Sequence, residues 1–255
     1  MVELPEDLAG HFATMVGLVT TRSSAGENVM AAEWTYLVSY EPMQVAVVIG
    51  PRRATHAAIV ETGEFGVSLA ADDQNALASF AGGVSRRETA KLTADAFSTR
   101  PGEVIGAPLV EGAVAQMECR LVGRLDVGDH TIFVGEVVAG RADGARVPLL
   151  LYRGYRRPGE KVPRGGKLVV ALTPEGGTRV RADAFWYADE RAGQRVEFEA
   201  TGAGVAGNSV GAATTDRRGW AEWSFDAEAL PSVVVTARCN GASAKATGAR
   251  LQPAR

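Results

Sequence analysis

The chain has 255 residues, 46% of them hydrophobic and 22% charged, with 27 Lys and Arg nearly balancing 30 Asp and Glu. That composition suits a folded globular protein and excludes global disorder, and a net charge of −3 leaves no basic footprint for nucleic acid. Cys119 and Cys239 lie far apart, which supports neither a disulfide scaffold nor a CxxC motif. His11, His56 and His130 are equally scattered and show no zinc spacing, so no metal is expected. The opening Val2–Asp7 lacks the basic start and apolar run of a signal peptide, and no uncharged stretch is long enough to cross a bilayer. The expectation is a soluble cytoplasmic protein without a membrane partner.

In chain order, Met15–Thr21 is apolar and partly β-branched and reads as a strand. Asn28–Ser39 alternates imperfectly and reads as a second, with Trp34 inside it between Glu33 and Thr35. Met43–Ile49 is a short apolar run of the kind buried on both faces. Thr55–Thr62 reads as a helix with Thr55 as its cap, and Phe65–Leu69 as a strand. Asp72–Ala81 reads as a helix capped by Asp72, with Ala76, Leu77 and Phe80 at helical spacing. Ala113–Leu125 and His130–Ala139 complete a set of strands in succession with few helices between them. That order suggests a decorated barrel and not alternating βαβ units.

A change of character falls at residues 153–167, where two prolines, four glycines and several basic residues suggest an exposed linker. The chain is divided there into 1–155, a linker 156–166, and 167–255. In the last part, Lys167–Thr173, Arg195–Ala200, Ala221–Phe225 and Val233–Ala237 are short strands. Val196, Phe198 and Ala200 alternate with Glu197 and Glu199, as in a half-buried strand. Several such strands in about ninety residues suggest an immunoglobulin-like β-sandwich. The run from Thr215 to Phe225 resembles a hairpin of bacterial immunoglobulin-like repeats.

No GxGxxG loop, P-loop or GxSxG elbow is present. Asp129 precedes His130, but neighbours on a strand face opposite sides, so a catalytic dyad is not expected there. Four features have both a plain and a functional reading. Arg52 and Arg53 before a helix start, with Thr55, are either solvated or a site for a phosphate on free helix amides. Gly82–Leu92, with Ser85 and Lys91, is either a plain loop or an anion clamp. Trp34 either packs in the core or lies against a flat ligand. His130, delivered by a Gly-Asp turn into an apolar strand, is either structural or functional.

Taken together, the residues from Val16 to Tyr155 resemble the flavin reductase-like, FMN-binding split-barrel family, in particular its flavoredoxin branch. The matching pieces run in order: Val19-Thr20-Thr21, Asn28 to Thr35, Ser39-Tyr40-Glu41-Pro42, Arg53-Ala54-Thr55, and Ile59 with Gly63-Glu64-Phe65. Ser85 with Lys91-Leu92, Gly106 to Leu109, Gly128-Asp129-His130 with Gly135-Glu136-Val137, and Pro148 to Tyr152 follow. The resemblance implies a mainly β fold, a split β-barrel with a few helices, followed by the immunoglobulin-like sandwich.

It also implies non-covalent FMN, with FAD as the alternative, at a homodimer interface. By position, Asn28 and Trp34 would meet the ring or ribityl chain, and the backbone of Ala31, Ala32, Glu33, Trp34 and Thr35 the polar edge of the flavin. Arg53, Thr55, Ser85 and Lys91 would bind the phosphate end. His130 would lie at the ring, as the catalytic residue that orients NADH or NADPH or stabilises the reduced anionic flavin. The implied activity is NAD(P)H:flavin oxidoreduction, with reduced flavin passed to a monooxygenase or another redox partner. A flavoredoxin-like electron carrier with tightly held FMN is the alternative, and a bare scaffold with a docking module a third.

Overall fold

The computed structural model describes Pro5, residues 7–205 and residues 209–251. The chain divides into two compact units, and the division is not a single cut. The first holds Met1–Ser23, Met30–Ala78 and Thr99–Pro163; the second holds Ser24–Val29, Ser79–Ser98 and Arg164–Arg255.

The first unit is built on strands β1 (Gly17–Ser23), the Met30–Ala32 end of β2 (Gly26–Ala32), β3 (Thr35–Tyr40), β4 (Met43–Ile49), β5 (Glu64–Leu69), β6 (Ala115–Val127) and β7 (His130–Ala142). They form one sheet in the order β2-β1-β5-β6-β7-β4-β3. Its two edge strands, β2 and β3, are consecutive in sequence and joined by Glu33 and Trp34 alone. Two residues reach at most about 7 Å, so the sheet must curl until its edges nearly meet. This is the physical origin of the barrel. The expected single strand Asn28–Ser39 is therefore two strands on opposite edges, and Trp34 sits in the break, not in a strand.

The interior is filled by Val19, Val45, Val47, Ile49, Ile59, Phe65, Val67, Met117, Cys119 and Phe133. A Cβ at Gly135 would lie 2.5 Å from Phe65 Cζ, so only glycine lets the phenyl ring fill that space. The ladder between β6 and β7 slips at Val134/Gly135, where a bulge bends the sheet. Helix α1 (Ala54–Thr62) buries Ala58 and Ile59 and stops at Gly63, whose φ of 69° makes the left-handed turn that ends it. Thr55 is not its cap: the helix starts at Ala54, and Thr55 is its second residue, 1% exposed. Asp72 is likewise no cap. It opens a short 3-10 turn, Asp72–Gln74, in which the Gln74 amide oxygen accepts from the Ala71 N–H at 3.1 Å, before helix α2 (Asn75–Gly83).

The residues expected as a linker are partly ordered in strands. Tyr155–Arg157 pairs with Glu160–Lys161 and with Leu150–Leu151, which in turn pairs with Thr14–Met15. The proline and glycine at 158 and 159 make the hairpin turn, with Gly159 at φ 91°. A hairpin turn and a linker draw on the same proline- and glycine-rich composition, so composition alone does not separate them.

The second unit carries strands β8 (Gly165–Gly176), β9 (Arg179–Ala188), β10 (Arg195–Thr201), β11 (Ser209–Thr214), β12 (Trp220–Asp226), β13 (Val234–Cys239) and β14 (Ala242–Thr247). They form two sheets, β8-β9-β12 and β11-β10-β13-β14. Between them lie Val170, Leu172, Trp186, Val196, Phe198, Phe225, Val235 and Ala237, among others. The fourth strand, β11, pairs with the third and not with the fifth, unlike the constant-type immunoglobulin arrangement. In the same unit, Phe80 packs on Trp220 at 4.9 Å between ring centroids and on Phe97 at 6.1 Å.

Candidate active site

The break between β2 and β3 sets the site. Trp34 leaves the sheet there, but its carbonyl accepts the Val48 N–H at 3.0 Å, which fixes the backbone while the half-buried indole stays outside the core. The ladder pairs Thr131, the second residue of β7, with Ile49, near the end of β4. His130 consequently meets Trp34, with ring centroids 4.8 Å apart and planes tilted by 50°. The next residue after β4 is Gly50. A Cβ there would lie 3.8 Å from His130 Nε2, so glycine keeps the imidazole edge uncovered.

Gly50 also starts a turn. Its carbonyl accepts the Arg53 N–H at 3.0 Å, and α1 begins one residue later. No side chain caps that helix, and Arg52 and Arg53 are exposed beside it. Uncapped N-terminal amides carry partial positive charge, and two guanidiniums add to it. An aromatic wall, an imidazole and an anion-ready helix start thus converge on the Gly50–Arg53 turn.

His130 has Asp129 as a hydrogen-bond partner, contrary to the expectation that strand neighbours face opposite sides. Its Nδ1 lies 2.7 Å from Asp129 Oδ1. The two residues do not alternate across a strand, because Asp129 is in the turn and β7 starts at His130. The imidazole holds the Asp129 carboxyl below the ordinary carboxylate range, first by this hydrogen bond and then by its charge. With Nδ1–H donated to Asp129, Nε2 is the nitrogen left for a ligand.

The structure brings Trp34, Arg53, Thr55 and His130 together with Ala31, Ala32, Glu33 and Thr35 in the first unit. Thr35 is 3% exposed and donates its hydroxyl to the Ala32 carbonyl at 3.1 Å, which tightens the break from below. Asn28, Ser85 and Lys91 belong to the second unit. Asn28 is buried. Ser85 nucleates a closed turn: its carbonyl accepts from Glu88 and Thr89, and its N–H donates to the Glu88 carboxylate at 3.0 Å. Lys91 is 2% exposed and its ammonium donates to the carbonyls of Ala81 (2.8 Å) and Val84 (3.2 Å), a clasp on the C-terminal end of α2. Gly50 and the pair His56–Thr131 are not among the sequence-derived candidates, and Asp129 is weighed there only as a dyad partner that is not expected. The turn before His130 was the available signal for Asp129.

Residues 9–160 match the protein family described as flavin reductase like domain. Among curated relatives, an uncharacterised protein of Pyrococcus abyssi is 34% identical over 122 residues, 48% of this chain and 70% of that protein. An NADH-dependent flavin reductase of Rhodococcus is 34% identical over 159 residues, 61% of this chain and 85% of that one. For two further uncharacterised archaeal relatives the match spans 63% and 64% of their length, a little under two thirds. Among solved structures, an FMN-binding protein from Thermus thermophilus superposes with a TM-score of 0.55 at 29% identity, over 62% of this chain and 92% of that one. An NADH:FAD oxidoreductase of Streptomyces globisporus, solved with NAD and FAD fragments, gives 0.54 at 30% identity, over 61% and 96%. The family match ends at residue 160, and the sandwich strands from Gly165 onward lie outside it. The chain belongs to the flavin reductase like domain family.

Proposed function

We propose that the protein is an NAD(P)H:flavin oxidoreductase that holds FMN without a covalent bond and releases reducing power to a downstream acceptor. The observation that carries this reading is the Trp34–His130 pair beside the uncapped, arginine-flanked start of α1. These residues fit a flat cofactor with a terminal phosphate. When bound, the flavin supplies the two-electron acceptor chemistry. Trp34 offers its face to a ring system, and the Ala31–Thr35 backbone at the break offers hydrogen-bonding groups to a polar edge. Arg53 and the first amides of α1 neutralise phosphate charge, with Thr55 packed beneath them. His130, steered by Asp129, directs Nε2 at the nicotinamide donor and holds it near contact distance. Orientation of that kind lowers the barrier by removing the entropy of encounter.

The acceptor is a monooxygenase or another enzyme that consumes reduced flavin. The working form is a homodimer. On the sheet face opposite Phe133, Tyr36, Ala46 and Val134 form one cross-strand row, and Val48, Ile132 and Leu125 the next. Tyr36 is 42% exposed and Leu125 61%. A contiguous apolar face of this kind is suited to a second copy. Leu125→Glu is expected to convert a dimer into a monomer in sedimentation analysis; an unchanged mass would exclude this face as the interface.

The deciding experiment adds FMN to purified protein, removes the excess, and follows visible absorbance under argon with NADH or NADPH. Rapid bleaching by one nucleotide is the expected result. Retained colour that only dithionite bleaches would replace the reductase by an electron carrier. No flavin retained and no turnover of free flavin would overturn the reading.

A further inference from the structure

The start of β7 is fixed on two faces. His130 points to one side. Thr131, the next residue, points to the other and is 3% exposed. The Thr131 hydroxyl donates to Asp126 Oδ1 at 2.7 Å, and Asp126 is its cross-strand partner on β6. A hydroxyl has one proton, so the contact of Thr131 Oγ1 with His56 Nε2 at 3.0 Å is one in which the imidazole donates. His56 is the third residue of α1, in the first turn that follows Arg53, and its own N–H donates to the Arg53 carbonyl at 3.1 Å. Its ring also stands edge-on against Phe133, 4.9 Å between centroids at 71°. Burial, the largest influence, pushes its pKa below the usual histidine value; the Asp126 charge opposes this and Arg124 adds to it. The imidazole is therefore neutral, with its proton on Nε2.

We propose that His56 is a positioning residue for the cofactor's phosphate end, acting through the Asp126–Thr131–His56 chain. The chain ties the first turn of α1 to the strand start that carries His130. It sets the phosphate-facing amides and Arg53 at a fixed place relative to the ring-facing imidazole. Nothing in the chain touches the reacting atoms. The inference rests on the flavin reading above, and it concerns only the geometry of one end of that site.

The test measures FMN and riboflavin binding side by side, by quenching of flavin fluorescence, in the full-length protein and in five variants: His56→Leu, His56→Gln, Thr131→Val, Thr131→Ser and the His56→Leu/Thr131→Val double. Riboflavin lacks the phosphate, so it reports on the ring end alone. His56→Leu and Thr131→Val are each expected to raise the Kd for FMN about five- to tenfold and to leave riboflavin within twofold. The double variant should be no worse than the weaker-binding single, the non-additivity expected of one connected chain. His56→Gln retains an N–H and Thr131→Ser retains the hydroxyl, so both should stay within twofold of the parent. Nitrogen NMR of the flavin-free protein should show the His56 proton on Nε2 and its loss of that preference in Thr131→Val. Equal losses of FMN and riboflavin, additive effects, or no rescue by glutamine and serine would overturn the proposal while leaving the flavin reading intact. A parent protein that binds neither flavin would overturn both.

Discussion

In the first unit, Trp34 occupies a two-residue break between strands, where its ring meets an imidazole and stays half-buried. In the second unit, Trp220 lies inside β12, 7% exposed, with Phe80 at 4.9 Å and Phe185 at 5.0 Å. The residue type is the same and the task differs. A tryptophan enclosed by phenyl rings has no face left to give, and its worth is packing. One placed where the backbone leaves the sheet, beside a side chain that carries protons, has a face to give. The distinction follows from backbone pairing: a ladder residue is committed to one face of a sheet, whereas a residue in a break takes its direction from whatever its carbonyl is tied to.

The largest test of that contrast is truncation of both rings. Trp220→Ala should cost about 3–5 kcal/mol of folding stability, the range for removing a large buried aromatic. Trp34→Ala should cost no more than about 1.5 kcal/mol in the same urea titration while weakening FMN binding at least tenfold. If Trp34→Ala destabilises as much as Trp220→Ala, the ring is core and not a wall of the site.

Two buried carboxylates extend the comparison. Glu118, fully buried in the first unit, accepts the backbone N–H groups of Glu103 (2.9 Å), Val104 (2.7 Å) and Ile105 (3.2 Å), with Arg100 at 3.4 Å. Burial raises its pKa, but those amides and the arginine together outweigh it and hold it below the usual glutamate value. Asp183, 1% exposed in the second unit, has Arg181 at 2.7 Å and the Thr173 hydroxyl at 2.8 Å. There burial wins and raises the pKa. Three converging amides with a guanidinium thus outweigh desolvation where one guanidinium and one hydroxyl do not.

The signs follow. Glu118 contributes stability that is present above its unfolded pKa of about 4.3 and lost as pH falls through its lower folded value. Ionised Asp183 costs stability above its raised folded pKa, and the cost is relieved as pH falls through that value. Glu118→Gln should therefore lose roughly 3 kcal/mol at pH 7, and the loss should shrink below about pH 4. Asp183→Asn should lose less at pH 7, with a deficit that grows on acidification as the parent is relieved of its penalty. Parallel Tm-against-pH curves for the two variants would refute the assignment of the shifts.

Much of the first unit was legible because its strands are short, apolar and bounded by turns. Met43–Ile49 was placed to the residue, and the strand beginning at His130 starts where the Gly-Asp turn said it would. The break at Glu33–Trp34 was not legible, because closure of a barrel is a property of the whole sheet and local alternation continues across it. Strand β9 was missed for a different reason. Six consecutive residues from Ala182 to Tyr187 are buried, so no alternation marks it, and of its three charges Arg181 and Asp183 satisfy each other. The anion-ready turn and His130 were visible as residue types. The bonds that make them specific, Asp129 to His130 and Asp126 through Thr131 to His56, depend on side chains meeting across turns and ladders.

The smallest effect belongs to Asp129, and it separates an exposed partner from the buried ones. Its side chain is 94% exposed, so the 2.7 Å bond to His130 is open to solvent and salt. Its worth to folding is slight, and Asp129→Ala should leave urea stability unchanged. Its worth to the site is directional, because an imidazole released at Nδ1 turns more freely and presents Nε2 less of the time. Asp129→Ala is expected to lower kcat/KM for the nicotinamide donor about two- to fivefold, with FMN affinity unaltered and the deficit smaller at high ionic strength, where the parent's own bond is weakened. Asp129→Asn keeps an oxygen acceptor and should recover most of the loss. His130→Ala removes the ring itself and should slow flavin reduction more than it weakens FMN binding. If Asp129→Ala instead matched His130→Ala in full, the carboxylate would be acting on the donor directly, and the steering role given to it here would fall.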